Sequence, residues 1–330
     1  MVNRITSSSR YALLVADMQQ SLLNYNRLTA QLSSGSKILN ITDNPIGAVN
    51  ILNTNRQLGQ IDTFSQNVEM ASAELSALDD LLSLASGYLS NAWDKAIQAN
   101  NQTYGNDSLA ALKVEIDEIT KTMVDLANSE YTDNYIFVGA NTKILPYTID
   151  DDGNIIYNGT PHDNPDYIRQ TEVADGVFEV INTTGDEVFG WYEAVQETDG
   201  NGNKVFLDAN GNRVIETIDP NTQTATYTYE AGGAYTGDTA DLQASIQEEN
   251  YSGVFGALKL LSNSIQMVLD GDTEEGYELM NSTLDMFSDS LEMISQEQTK
   301  FGGVANRLEM TSSTLETSNL NLTTYLSEIN

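Results

Sequence analysis

The chain has 330 residues, enough for two or three domains, and its 40% hydrophobic content is sufficient for a packed core. It contains no cysteine and one histidine, His162, which excludes disulfide scaffolds, thiolate catalysis, Cys-ligated metals and two-histidine metal motifs. Its 15 basic and 48 acidic residues give a formal charge of -33, which repels nucleic-acid phosphate and anionic lipid alike.

The N-terminal segment differs in sign from the rest. Residues 1–42 carry Arg4, Arg10, Arg27 and Lys37 against Asp17 alone. The run Tyr11-Ala-Leu-Leu-Val-Ala16 is stopped by Asp17 and no small-residue cleavage site follows, so neither a secretory signal nor a membrane span of about 18 apolar residues is expected. Tyr11, Val15, Met18, Leu22, Tyr25, Thr29 and Leu32 form a helical stripe that ends at Ser33-Ser34-Gly35, where glycine suits the left-handed cap. A new helix is predicted from Asn44 as N-cap and Pro45 as its first residue.

Residues 61–99 carry the clearest periodicity. Ile61, Phe64, Val68, Ala71, Leu75, Leu78, Leu82, Ala85, Leu89, Ala92, Ala96 and Ala99 follow alternating steps of three and four, and all are apolar. That is the seam of a coiled coil or long bundle, roughly 57 Å at ~1.5 Å per residue. The turn-rich run 102–107 follows, with Asn106 or Asp107 as the next N-cap, and then the stripe Leu109, Leu112, Ile116, Ile119, Met123 and Leu126.

From about Phe137 the helical period gives way to short Tyr-, Val-, Ile- and Thr-rich runs. They are punctuated by residues 151–154, Asn158-Gly159, Asp175-Gly176, Asn201-Gly202 and Asn210-Gly211, turn signals for β-hairpins. Residues 199–215 read as a hairpin whose two turns repeat one theme. Residues 141–250 hold 21 acids and 4 bases, the signature of a solvated outer surface.

Helical periodicity returns with Phe255, Leu258, Leu261, Ile265 and Val268, ending at Asp270-Gly271. A final stripe runs through Met280, Leu284, Phe287, Leu291, Ile294, Gln298, Phe301, Ala305, Leu308, Ser312, Leu315, Asn319, Leu322 and Leu326. The expected fold is α+β: an elongated bundle of long helices formed by both chain ends, with an inserted, mainly β domain. Its expected divisions are an N-terminal segment 1–43, a discontinuous helical rod of 44–140 plus 251–330, and the β-rich insertion 141–250. Ile61, Val68, Leu75, Leu82, Leu89, Leu291, Ile294 and Leu308 are assigned to core packing.

No G-x-S-x-G elbow, phosphate loop or G-x-G-x-x-G after a strand is present. A catalytic triad would need His162, which lies in the Pro-flanked polar loop 160–165. Asp208-x-Asn210-x-Asn212 has the beginning of a calcium loop, but Arg213 stands at the required glycine and Asp219 at the closing glutamate. A hairpin turn is the expectation there. No catalytic, cofactor-binding or metal residue is assigned, and the chain is expected not to be an enzyme.

The segment 31–48, Gln-Leu-Ser-Ser-Gly-Ser-Lys-Ile-Leu-Asn-Ile-Thr-Asp-Asn-Pro-Ile-Gly-Ala, resembles the N-terminal signature of the bacterial flagellin superfamily, and Asn306-Arg-Leu-Glu309 with residues 321–329 resembles its C-terminal half. Pro45 after Asp43-Asn44, the Tyr135-Ile-Phe-Val-Gly139 run, and the spacing from Tyr157-Asn158-Gly159 to Gly185-Asp-Glu-Val-Phe-Gly190 are similar to the hook-associated protein 3 family rather than to flagellin. Residues 191–250 share no such similarity.

The resemblance implies a structural role at the flagellar hook–filament junction, as a ring that templates flagellin polymerisation. The implied partners are hook-associated protein 1, flagellin, other copies of the chain and a flagellar export chaperone, with no nucleic acid and no membrane insertion. It implies secretion by the flagellar type III system to the extracellular flagellum, with Ser34, Gly35, Lys37, Asp43, Asn44 and Pro45 at an intersubunit joint. Relatives normally continue with a further amphipathic helix that pairs with the N-terminal one. With the chain ending at Asn330, residues 1–42 are expected to be mobile and the chain monomeric. The rival readings are a filament-forming flagellin and, from another class, a carbohydrate- or metal-binding or hydrolytic activity in 141–250.

Overall fold

The computed structural model describes residues 7–35, 37–38, 40, 42, 44–150, 153–196, 199, 203–208, 212–218, 224–237, 239, 242–244 and 246–329. Three helices come first, α1 (Ser7–Ser34), α2 (Pro45–Ala99) and α3 (Asn106–Ala127), and two come last, α5 (Gly253–Asp270) and α6 (Thr273–Ile329). Between them lie the short helix α4 (Gly185–Val188) and the strands β1 (Glu130–Tyr131), β2 (Asn134–Tyr135), β3 (Tyr147–Ile149), β4 (Ile155–Tyr157), β5 (Gln170–Ala174) and β6 (Val177–Val180). They continue with β7 (Trp191–Gln196), β8 (Val205–Leu207), β9 (Arg213–Ile218), β10 (Ala225–Tyr229), β11 (Gln243–Ala244) and β12 (Ile246–Ser252). The fold is α+β, with long helices from both chain ends and small antiparallel sheets between them. No described helix is long and apolar enough to cross a membrane.

Two compact units can be distinguished, one from Met1–Met70, Glu172–Phe178 and Asn306–Asn330, the other from Ala71–Thr171 and Glu179–Ala305. In the second unit the α2 stripe is closed to solvent from Ala71 to Ala99: Leu82, Ala85, Leu89, Ala92, Ala96 and Ala99 have no exposed surface. Hydrogen bonds from Gln298 to Asp79 (3.3 Å) and from Asn100 to Asn281 (3.3 Å) set α2 antiparallel to α6 there. Leu109, Ile116 and Met123 of α3, and Phe255, Leu258, Leu261 and Ile265 of α5, are buried as their period requires. α5 ends where the sequence marks it, with Gly271 left-handed at φ 113°.

The register of α6 departs from the expected stripe. Met280, Phe287, Ile294, Phe301, Leu308 and Leu315 are buried, but the second row is Thr283, Ser290, Glu297 and Val304. Leu284, Leu291 and Gln298 are only half-buried, and Ala305 and Ser312 are exposed. Both rows follow three–four spacing, so periodicity alone does not separate them. Polar residues can take the inner row where their polar groups are satisfied locally. Thr283 Oγ1 donates to the Met280 carbonyl at 2.7 Å, and Lys300 Nζ binds both Glu297 oxygens at 2.9 and 3.0 Å.

Two further expectations differ. The cap of α3 is Gly105, whose carbonyl accepts from Ser108 and Leu109. Asn106 and Asp107 therefore fall inside the first turn, where the Asp107 charge opposes the positive helix end. The irregular region also begins earlier than Phe137, because Asn128 caps α3 and bonds both backbone groups of Tyr147 (3.0 and 2.8 Å).

The strands form a β12-β7-β4-β3 sheet, a β10-β9-β8-β11 sheet and the hairpins β1-β2 and β5-β6. β8 and β9 make the expected hairpin, pairing Val205 with Ile215 and Leu207 with Arg213. The turn before it is different, since β7 and β8 belong to separate sheets. The repeated theme is D-x-x-G-N, present three times in the sequence. In each, one aspartate oxygen accepts the asparagine backbone N–H and the other its side-chain amide: Asp150–Asn154 (2.8 and 2.8 Å), Asp199–Asn203 (2.9 and 3.0 Å) and Asp208–Asn212 (2.8 and 3.0 Å). This bidentate clamp ties the two ends of each turn together. Asp151, Asp152, Asn201, Gly202, Asn210, Gly211 and Asp219 lie outside the described residues.

Candidate assembly interface

In the first unit, α1 is amphipathic but its apolar stripe faces solvent. Tyr11, Leu14, Met18, Leu22, Tyr25 and Leu32 recur at helical spacing and each is more than half exposed. An apolar surface this continuous marks an interaction face. Ser34 Oγ donates to the Gln31 carbonyl (3.2 Å), and Gly35 turns the chain at φ 68°.

Beyond the turn, Gln31 Nε2 reaches the Lys37 carbonyl at 2.6 Å, and Lys37 Nζ bonds the Glu328 carbonyl at 3.3 Å. Asn44 Oδ1 accepts the Gly47 N–H at 3.0 Å, three residues on, so Asn44 caps α2 and Pro45 opens it. An added Cβ at Gly47 would lie 2.5 Å from Ile38 Cδ1 and 2.6 Å from Asn44 Nδ2, so a side chain there would displace Ile38 and the capping Asn44. Cap, glycine and Ile38 lock the entry to α2, while Ile46, Val49 and Leu52 remain exposed beside it.

Ser34, Gly35, Lys37, Asn44 and Pro45 are all exposed, and Asp43 lies outside the described residues, as do Ser36, Leu39 and Ile41. Further along, Asn50 Nδ2 bonds Tyr325 Oη (3.4 Å) and Asn319 Nδ2 bonds Asp62 (3.3 Å), so α2 and α6 are antiparallel in this unit as well. Ile61 is half-buried and lines a cleft of about 390 Å³ with Phe64, Asn321 and Leu322.

Of the packing residues assigned from sequence, Val68, Leu75, Leu82, Leu89, Ile294 and Leu308 are buried, while Ile61 and Leu291 are half-exposed.

In the second unit, the short motifs quoted for the family resemblance meet at a single aromatic core. Phe137 packs edge-on to Phe189 (4.9 Å), and Tyr147 edge-on to Phe255 (4.9 Å). Tyr157 Oη donates to the Phe137 carbonyl (2.9 Å), Gly185 N–H bonds the same oxygen (2.7 Å), and Tyr147 Oη donates to Gly190 (2.9 Å). Burial holds the Tyr147 hydroxyl well above its usual pKa and so keeps it a donor. Gly190 is left-handed at φ 67°, and a Cβ there would stand 2.0 Å from the Ser252 oxygen. These motifs are therefore structural: they join the first β elements to α5.

Sequence reasoning missed a partner for His162. Its Nδ1 lies 2.8 Å from Asp186 Oδ2, which also accepts the His162 N–H at 2.9 Å. The carboxylate raises the imidazole pKa above its ordinary value. Among the described residues no hydroxyl bonds to Nε2. The only signal in the sequence was the Asp in the Gly185–Gly190 run, 24 residues away.

Residues 6–142 match the bacterial flagellin N-terminal helical region. Flagellar hook-associated protein 3 of Escherichia coli is 25% identical over 209 residues, 62% of this chain and 63% of the relative; that of Salmonella typhimurium is 26% identical over 200 residues, 60% and 61%. The matched stretch thus spans 63% and 61% of the length of these two curated relatives. Among solved structures, flagellar hook associated protein-3 from Legionella pneumophila shares the fold with a TM-score of 0.60 at 17% identity, over 85% of this chain and 100% of that one. FlgL from Xanthomonas campestris does so at 0.58 and 20%, over 83% and 99%. The chain therefore carries a flagellin-type N-terminal helical region, and in sequence and fold it resembles flagellar hook-associated protein 3.

Proposed function

We propose that the chain is a non-catalytic structural component of the bacterial flagellum that acts at the hook–filament junction. The observation that carries this reading is the solvent-facing apolar stripe of α1, from Tyr11 to Leu32, in the unit that holds the 31–48 connection. Hydrophobic surface of that extent is stabilised by covering it, and in a stacking protein the cover is a neighbouring subunit. Residues 1–43 serve as the axial segment, 44–140 with 251–330 as the helical body, and 141–250 as the outward acidic part.

In this reading the protein passes through the flagellar type III channel with an export chaperone. It then assembles as a ring between hook-associated protein 1 and flagellin, at the extracellular junction. Ser34, Gly35, Lys37, Asp43, Asn44 and Pro45 make the intersubunit joint, and the ring templates flagellin. Lys37→Glu in the full chain leaves helix content and melting unchanged but abolishes complementation of motility. If it melts the protein instead, the joint assignment fails. Deleting the gene in a motile host leaves intact hooks, no filaments and flagellin in the medium. A long filament grown from the purified chain alone would overturn the junction role in favour of a flagellin.

A further inference from the structure

The short helix α4 lies in the second unit, where its two adjacent acids, Asp186 and Glu187, reach different neighbours. Asp186 holds the loop 160–165. Its Oδ2 accepts the His162 N–H and lies 2.8 Å from His162 Nδ1, while its Oδ1 is buried without a hydrogen-bond partner. Glu187 reaches α6. Its Oε1 lies 3.8 Å from Lys300 Nζ, which already binds both Glu297 oxygens at 2.9 and 3.0 Å. Thr183 Oγ1 donates to the other Glu187 oxygen at 3.3 Å.

Neither contact has its charges matched. One ammonium serves two carboxylates, and the Glu297 side chain is only 8% exposed, so water screens the excess poorly. The Asp186 side chain is 10% exposed, and its partner His162 is a cation only when protonated. The other titratable groups acting on the cluster are Asp163, which acts on His162, and Tyr167, which acts on Lys300.

A proton on Glu187 removes its repulsion with Glu297 and leaves Lys300 matched to one carboxylate. A proton on His162 gives Asp186 a counter-charge. Burial and then Glu297 raise the Glu187 pKa, and the hydrogen bond to Asp186 raises that of His162. Both sites therefore bind their proton more tightly with the contacts closed than with them open.

We propose that loop 160–165, α4 and the 297–300 turn of α6 form a proton-tightened clasp. Acidification draws the three together, and rising pH lets α4 open locally while the long helices stay folded. The Glu187 contribution is complete below about pH 4.5 and fades as pH passes its raised value. The His162 contribution is complete below about pH 6.5 and fades above that.

The test is hydrogen exchange of the full chain, read by mass spectrometry from about pH 5 to about pH 8.5 and corrected for the intrinsic exchange rate at each pH. The Val188, Phe189 and Gly190 N–H groups bond to Thr184 and Gly185 carbonyls and report the opening of α4. Their protection falls about threefold across this range, as for a partly screened ion pair, and that of the α2 stretch 71–99 falls less. Glu187→Gln keeps the side-chain length and loses the charge, so protection at the alkaline end rises and the pH dependence shrinks. Glu297→Gln leaves Lys300 to Glu187 and shrinks the dependence as well, which burial of Glu187 alone would not produce. His162→Gln removes the part above about pH 6.5. Circular dichroism verifies that the variants keep their helix content. Protection that is flat or rises with pH, an equal fall in α2, or the unaltered pH dependence in any of the three variants would overturn the proposal.

Discussion

The register of α6 makes a prediction that periodicity cannot. Leu82 of α2 has no exposed surface, and Ile294 of α6 none either. Truncating Leu82 to alanine removes three carbons, about 2.4 kcal/mol of transfer free energy at ~0.8 kcal/mol per methylene, and the residual cavity brings the loss to about 3 kcal/mol. Ile294→Ala loses a similar amount. Leu291 occupies the same heptad stripe in the sequence but is half-buried, so Leu291→Ala loses about 1 kcal/mol, its neighbours relaxing toward solvent. Ser290, adjacent in sequence, is 3% exposed. Ser290→Leu forces three extra carbons into a closed space and destabilises by roughly 1–3 kcal/mol, although it adds an apolar residue to the helix. Urea unfolding followed by far-UV circular dichroism, with midpoints compared at constant slope, ranks the four variants. If Leu291→Ala loses as much as Ile294→Ala while Ser290→Leu is neutral, α6 is rotated toward the row read from sequence and the packing described above is wrong.

Two other outcomes follow from local geometry. Gly190 and Gly176 share a left-handed backbone (φ 67° and 70°), but only Gly190 is crowded. Gly176→Ala should lose about 1 kcal/mol, whereas Gly190→Ala should lose at least about 2 kcal/mol because the methyl meets the Ser252 oxygen; equal thermal shifts would refute the close approach. His162 has its pKa raised by Asp186 above 6.5, so the fold binds its proton more tightly than the unfolded chain does. That contribution is complete below about pH 6.5 and disappears as pH rises through the elevated value. His162 is 57% exposed, so solvent screening keeps the effect well under ~1 kcal/mol. Stability of the His162→Gln variant should be flatter across that window, and an unchanged slope would remove the pair from the account. Glu187, raised by its burial, favours the fold in the same sense but at lower pH, and stays in both proteins.

The amino-acid order by itself determined where the helices lie. Alternating three–four spacing defined α2, α3, α5 and one row of α6, because a helix repeats its faces every few residues whatever it packs against. Local backbone chemistry determined their ends: Asn44 and Pro45 start α2, and Gly35 and Gly271 stop α1 and α5. The D-x-x-G-N turns were equally legible, being closed by side chains four residues apart. Tertiary structure alone decided which neighbouring row of α6 turns inward, since Ser290 and Leu291 are separated by one residue and the deciding factor is the closeness of the opposing surface. It likewise decided that β7 and β8, on either side of the Asp199–Asn203 clamp, belong to separate sheets, and that Asp186 meets His162 across 24 residues while leaving one oxygen unpaired. Those are facts of distance between segments that no local pattern encodes.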